Sequence, residues 1–331
     1  MSIPLYRLFT LPVLLMKILA NSKEQQKFIE KTIAIDIREI KKDNDKTLSE
    51  KDFKKIFTYY GSAVPAVLGE EYCLLRGKKM TDDERYRLTY MGALTGLFDD
   101  LFDEKETEEN HIKELVNEAA EQIARNSHEK LFIRFYKKVL DSGNSSLVKE
   151  HLNRVFDAQV LSKRQKEPDI GKEEIRHITI EKGGTSLLFY RCTFQEPVSE
   201  SEHQVLYHLG GLGQLENDIF DIYKDLRDQI RTLATTTKQV SNLRSTYISL
   251  IHDVYNLLDE TDYPPKNSKR FSKFISLVSS RGLVCLDHLQ KQEALSGGVF
   301  DISSYSRENL ICDMEKPGKR LKLFRYYLKN I

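Results

Sequence analysis

Two acidic sets are notable for the apolar sequence around them. Asp99, Asp100 and Asp103 close the run Met91 to Phe102, and Asn217, Asp218, Asp221 and Asp225 follow Leu209-Gly210-Gly211-Leu212-Gly213-Gln214-Leu215. A carboxylate in apolar surroundings is costly unless a cation or another partner neutralises it. On a helix Asp99 and Asp103 are four residues apart and Asp100 and Asp103 three apart, so each pair shares a face. Asn217, Asp221 and Asp225 repeat every four residues with Asp218 beside them, which predicts one stripe along a helix. An amide oxygen and several carboxylates form a hard-oxygen donor set. Mg²⁺ favours such donors, keeps several waters, and commonly bridges a few carboxylates to phosphate. The chemistry expected of these residues is therefore magnesium binding with a phosphorylated substrate, a solvated acidic helix end being the alternative for Asp99, Asp100 and Asp103.

The elements that must hold them read as helices. Apolar residues recur at three- and four-residue spacing over 5–20, 22–43, 49–60, 63–76, 82–104, 108–125, 128–141, 146–163, 171–195, 199–231, 235–260, 268–291 and 318–330, and strand-like alternation is rare. Turn formers mark breaks at 42–45, 77–80, 142–145, 168–171, 263–267, Gly297-Gly298 and Pro317-Gly318. Thr81-Asp82-Asp83-Glu84 has the form of an N-cap followed by acidic first-turn residues. The expected fold is all-α, a single-domain helical bundle. Residues 1–60 are expected to supply N-terminal helices packing on a body formed by residues 61–331.

Composition excludes several function classes. Lys and Arg total 51 against 50 Asp and Glu in 331 residues, a formal net charge of +1, so no global field draws nucleic acid. Cys73, Cys192, Cys285 and Cys312 lie far apart without metal-finger spacing, which fits a reducing, cytoplasmic setting. The apolar stretch Leu8 to Leu19 is interrupted by Pro12 and Lys17 and is too short to span a bilayer. It reads as a helix packing on the body, with a peripheral membrane contact kept as the alternative.

The paired acidic sets resemble the class I isoprenoid synthase superfamily, which includes prenyl diphosphate synthases, squalene and phytoene synthases, and terpene cyclases. Leu209-Gly210, Gln214 and Asn217-Asp218-Ile219-Phe220-Asp221 are similar to the LGxxxQxxDDxxD run of prenyl diphosphate synthases, with Asn in place of the first aspartate. Read as NDxxDxxxD, the same stretch resembles the (N/D)Dxx(S/T)xxxE motif of terpene cyclases, with Asp221 and Asp225 replacing the hydroxyl and the glutamate. The resemblance implies a bundle with a central active-site cavity. It also implies three magnesium ions held by Asp99, Asp100, Asp103, Asn217, Asp218, Asp221 and Asp225. Six of these, all but Asp218, are the expected catalytic residues.

A polyprenyl diphosphate is the substrate the resemblance implies. Its diphosphate would be met by Arg176 or Lys182, by Lys224 and Arg227 flanking the second set, and by Arg325-Tyr326, similar to the Arg-Tyr pair that closes over diphosphate in many cyclases. Lys182-Gly183-Gly184 falls where the family has a helix that breaks near the active site. An ordinary helix interruption at the glycines, solvated ion pairs of Lys224 and Arg227 with Asp228 or Glu216, and a basic helix end at Lys319 to Lys329 are the bland alternatives. The family is often dimeric, which makes a homodimer a further expectation.

The reaction expected is ionisation of a linear polyprenyl diphosphate, with the allylic cation cyclised or quenched and diphosphate released. Chain elongation needs a second basic site, whereas Glu104-Lys105-Glu106-Thr107-Glu108-Glu109 follows Asp103 and would repel a second diphosphate. No DxDD run occurs, so protonation-initiated chemistry is not expected. Coupling of two isoprenoids is the competing transferase reading, and a non-catalytic prenyl-diphosphate binder is a third.

Overall fold

The computed structural model describes residues 5–103, 107–194 and 196–329. Glu104, Lys105 and Glu106 of the acidic run lie outside the described residues. The architecture is all-α, with no strand among the described residues. α1 (Leu5–Lys31), α2 (Ile33–Lys42) and α3 (Glu50–Lys55) lead to a π-helical turn at Ile56–Tyr60, the short α4 (Gly61–Ala63), a second π-helical stretch at Val64–Gly69, and α5 (Glu70–Arg76). α6 (Asp82–Asp103) carries the first acidic set and precedes α7 (Glu109–Glu118), α8 (Ser127–Asp141) and α9 (Ser145–Ser162). α10 (Lys172–Arg191) and α11 (Glu200–Phe220) lead to the second set, which continues into α12 (Ile222–Arg227). α13 (Leu233–Thr236), α14 (Val240–Asp259), α15 (Pro265–Leu295), α16 (Arg307–Leu310) and α17 (Pro317–Lys329) complete the chain.

Local chemistry sets several boundaries. Thr81 accepts from the Glu84 N–H at 3.1 Å, and the Glu84 carboxylate accepts from the Thr81 N–H at 2.9 Å, a reciprocal box that opens α6 as the sequence predicts. Gly77, at φ 71°, ends α5, and Gly297 and Gly298 take positive φ after α15, each in the left-handed region glycine tolerates. Three expectations need correction. One helix runs through Pro12 from Leu5 to Lys31, and the break comes at Thr32. α7 stops at Glu118 because Ala119 adopts φ 51°, although neither Gly nor Pro marks the place. The helix expected over 199–231 is interrupted at Asp221.

The chain divides into two compact units. One comprises Met1–Val13, Ala158–Leu187 and Val198–Ile331, and the other Leu14–Asp157 and Leu188–Pro197. In the latter, α6 packs on α8, with Phe98 stacked on Phe132 at 5.7 Å and Tyr90 edge-on to Phe135 at 5.4 Å. In the former, α11 packs against α14 and α15, and α15 against α17. Buried Tyr247 of α14 donates to the Glu216 carboxylate of α11 at 2.8 Å, so a polar bond fixes the register of an otherwise apolar contact.

Candidate functional site

The first acidic set is shaped by glycines upstream of it on α6. A Cβ on Gly92 would lie 2.4 Å from the Tyr60 carbonyl oxygen, and one on Gly96 2.6 Å from the Tyr60 ring. The absence of both side chains lets the π-helical turn Ile56–Tyr60 press onto α6, and wide turns of this kind recur at functional sites. The Tyr60 hydroxyl then donates to Asp99 Oδ2 at 3.4 Å, while Lys55 Nζ donates to Asp100 Oδ1 at 3.1 Å. Tyr190 donates to Thr95 Oγ1 at 3.0 Å, one turn before Asp99. Burial, reinforced by the Asp99 charge, holds the Tyr60 phenol in its protonated, donating form far above its usual range. Asp100 is buried, Asp99 half-buried and Asp103 exposed at the helix end. Lys55, Tyr60 and Tyr190 come from distant sequence, and no local pattern announces them.

The second set is held by a close helix crossing. A Cβ on Gly183 would lie 2.0 Å from the Gly210 carbonyl oxygen, and one on Gly210 2.2 Å from that of Gly183. The glycines permit backbone contact between α10 and α11. They do not break α10, which is continuous from Lys172 to Arg191, so the helix interruption expected at Gly183-Gly184 is absent. The crossing brings Thr179 of α10 to Asp218 of α11, where its hydroxyl approaches Oδ2 at 3.4 Å and Gln214 Nε2 donates to Oδ1 at 2.8 Å. Gln214 stands four residues before Asp218, a relation the sequence could have supplied. Asp221 is the residue between α11 and α12, at φ −91° and ψ 9°, yet the ladder passes through it: Asp221 N–H donates to Asn217 O at 2.8 Å and Asp225 N–H to Asp221 O at 2.9 Å.

Electrostatics groups three of these residues. Asp218 is buried and its carboxyl is pushed up to about 6, chiefly by burial and also by Asp221, against the opposing pull of Gln214, Lys182 and Thr179. Asp225 is likewise buried and is pushed up to about 7 by burial and by the charges of Asp218 and Asp221, with Lys224 and Lys182 opposing. Asp218, Asp221 and Asp225 thus act on one another as a carboxylate cluster, while Asn217 is exposed. Hard-oxygen donors that repel each other in a poorly solvated place fit a divalent cation chemically. The described residues contain no group of three or more His, Cys, Asp and Glu closed around one point. Mg²⁺ does not require such a cage, because water and phosphate commonly complete its shell.

The other expected diphosphate contacts are dispersed. Lys182 is half-buried, with its charge felt at Asp218 and Asp225, and Lys224 is exposed next to Asp225. Arg176 is half-buried with a buried Nε that has no hydrogen-bond partner. Arg227 pairs with Asp228 at 2.7 and 3.1 Å, the bland alternative for that residue. Tyr326 donates to Asp287 Oδ1 at 2.5 Å and accepts from Arg244 at 3.3 Å, which ties α17 to α15 and α14, while neighbouring Arg325 is exposed. An open depression of about 480 Å³, lined by Ser199, Glu200, Ser201, Gln204, Leu257, Glu260 and Asp262, includes no residue of either acidic set.

No family model and no curated protein matches the chain. Among solved structures, a dehydrosqualene synthase in complex with ligand aligns over 85% of this chain and 99% of its own, at 15% identity and a TM-score of 0.44.

Proposed function

We propose that the chain is a magnesium-dependent class I terpene synthase, a carbon–oxygen lyase that ionises a linear polyprenyl diphosphate and cyclises or quenches the allylic cation. The observation that carries this reading is the burial of Asp218 and Asp225, with Asp221 between them in sequence, at the end of an apolar helix, where the Lys182 charge acts on both. Carboxylates so arranged gain from a hard cation, and the neighbouring ammonium group suits an anionic ligand. Asp99, Asp100 and Asp103 are further magnesium ligands in this reading, with the Tyr60 hydroxyl bonded to Asp99. Bound magnesium supplies stabilisation of the negative charge that grows on the departing diphosphate. Lys182 and Lys224 offer ammonium groups to its oxygens. In this reading apolar and aromatic side chains keep water from the cation.

A second reading, a prenyltransferase coupling an allylic diphosphate to another isoprenoid, is favoured by one observation. The Gln214–Asp218 hydrogen bond joins the two positions of the Leu209-Gly210…Gln214…Asp218 register that resemble prenyl diphosphate synthases. The acidic residues after Asp103 favour the lyase, because they oppose a second diphosphate.

The test is to incubate the purified protein with Mg²⁺ and geranyl, farnesyl, geranylgeranyl or longer diphosphates, with and without isopentenyl diphosphate, and to weigh the organic products. A hydrocarbon or alcohol from one diphosphate alone, lost in Asp225→Asn and in Asp99→Asn, is the expected result. A heavier product identifies the transferase. Tight diphosphate binding without conversion removes both enzymatic readings and leaves a non-catalytic binder.

A further inference from the structure

The outward face of the first half of α1 has the wrong polarity for water. Leu8, Phe9, Val13, Met16 and Leu19 are 47%, 73%, 66%, 70% and 63% exposed, and Pro12 and Ala20 between them are exposed as well. At 3.6 residues per turn these positions fall in one arc, about 18 Å long, that contains no polar side chain. The opposite face faces protein. Arg7 is buried and donates to Ser276 Oγ at 3.0 Å and to the Tyr327 carbonyl, and Thr10 bonds the Tyr327 hydroxyl at 2.9 Å. A contiguous apolar strip of this size on a helix otherwise seated on the protein marks an interaction surface.

Charge around the strip identifies the partner. Lys23, Lys27 and Lys31, all exposed, continue the same arc after the apolar positions, with exposed Glu30 the acidic residue among them. α17, bonded to the start of α1 through Arg7 and Thr10, exposes Arg320, Arg325 and Lys329 together with Leu321, and it contains no acidic residue. An apolar strip that passes into lysines on one face, with a second cationic helix against its base, matches the headgroup and acyl boundary of an anionic bilayer. A second copy matches it less well. Antiparallel pairing of two α1 strips would carry Lys23 and Lys27 of each toward the basic α17 of the other, so like charges would meet. No helix among the described residues is long and apolar enough to cross a membrane, so the contact is interfacial.

We propose that the Leu8–Leu19 face of α1 docks in the plane of an anionic lipid surface, with Lys23, Lys27 and the cations of α17 engaging the headgroups. The inference is independent of the proposed reaction, since no residue of either acidic set takes part.

The test uses the full chain and sedimentation with vesicles of phosphatidylcholine alone or of equal parts phosphatidylcholine and phosphatidylglycerol. The expected result is binding to the mixed vesicles that weakens as salt is raised, with little binding to the neutral ones. Phe9→Ser with Met16→Ser, both exposed and so compatible with an unchanged circular dichroism spectrum, lowers partitioning about tenfold or more. Arg320→Gln with Lys329→Gln lowers binding to the anionic vesicles only. The chain has no tryptophan. Phe9→Trp therefore gives a single reporter, whose emission shifts to the blue on docking even if the serine variant misfolds. An unshifted reporter with no sedimentation overturns the proposal, as does equal binding to neutral and anionic vesicles. A dimer in sedimentation velocity that the serine variant converts to monomer overturns it in favour of a second copy.

Discussion

At the residue scale, the buried carboxylates at the end of α11 are held at a cost to stability. Burial and mutual repulsion raise Asp218 and Asp225, so in the absence of a cation the folded state bears a charge arrangement that the unfolded chain does not. Asp225→Asn removes one member of the repelling set. It is expected to raise the melting temperature of magnesium-free protein by a few degrees, on the order of 1 kcal/mol, and, under the proposed reaction, to abolish turnover. Adding Mg²⁺ should raise the melting temperature of the native chain more than that of the variant in thermal-shift measurements. A variant that melts lower without magnesium would remove the repulsion argument. A different carboxylate pair works in the opposite sense. Glu196 is held down at about 2 by Lys78, against a counteracting effect of burial, with further help from Arg76; in Glu84 burial raises the pKa but the Arg76 hydrogen bond outweighs it. Arg76 is almost fully buried between the two, donating at 2.8 Å to Glu84 and 2.6 Å to Glu196. Because the folded pKa values are depressed, this stabilisation is complete above about 4.5, the ordinary glutamate value, and is lost as pH falls toward about 2. Urea titrations across that range should show falling stability. Arg76→Gln should flatten the acid limb and cost roughly 1–3 kcal/mol at neutral pH by leaving Glu84 buried without its cation.

At the element scale, glycine has opposite meanings on two neighbouring stretches. Gly183 and Gly210 allow α10 and α11 to touch through their backbones, so Gly183→Ala must push the helices apart; a loss of about 1–3 kcal/mol is expected, with weakened Thr179–Asp218 contact. Gly213 is exposed on α11 with nothing within 4 Å of a Cβ, and Gly213→Ala should stabilise by about 0.5–1 kcal/mol through helix propensity. Denaturant midpoints of the two variants moving the same way would contradict this. The contrast also explains what the sequence made legible. Helical periodicity and the Thr81 box are local, encoded within one or two turns, and both are found in the structure. The doublet Gly183-Gly184 is ambiguous in sequence, since a helix break and a close crossing both call for glycine and only the element opposite decides. Ala119 and Asp221 end helices without a glycine or proline signal, so runs expected to continue stop there. The acidic residues stand out in the sequence, because carboxylates in apolar surroundings are conspicuous. Their partners Lys55 and Tyr60 do not, because only folding places them against α6.

At the scale of the whole molecule, the chain's two ends close one unit. Arg7 of α1 reaches the Tyr327 carbonyl of α17, lies 5.0 Å from the Tyr327 ring centroid, and is joined there by Thr10. Tyr327 is fully buried and Arg7 nearly so, which makes each expensive to leave without the other. Residues from the start and the end of the sequence must therefore meet before this unit is complete, a non-local closure that slows folding. The energetic link between the ends can be measured by a double-mutant cycle. Arg7→Met and Tyr327→Leu should each cost about 2–4 kcal/mol, the first by stranding the Tyr327 carbonyl, the second by removing a buried ring from α17. Made together they should cost less than their sum by about 0.5–3 kcal/mol, because each removes part of what the other disturbs. Strict additivity in urea unfolding would mean that α1 and α17 are stabilised separately. In that case the α17 cations would no longer be fixed relative to the apolar strip of α1, and the serine and glutamine variants should affect vesicle binding independently.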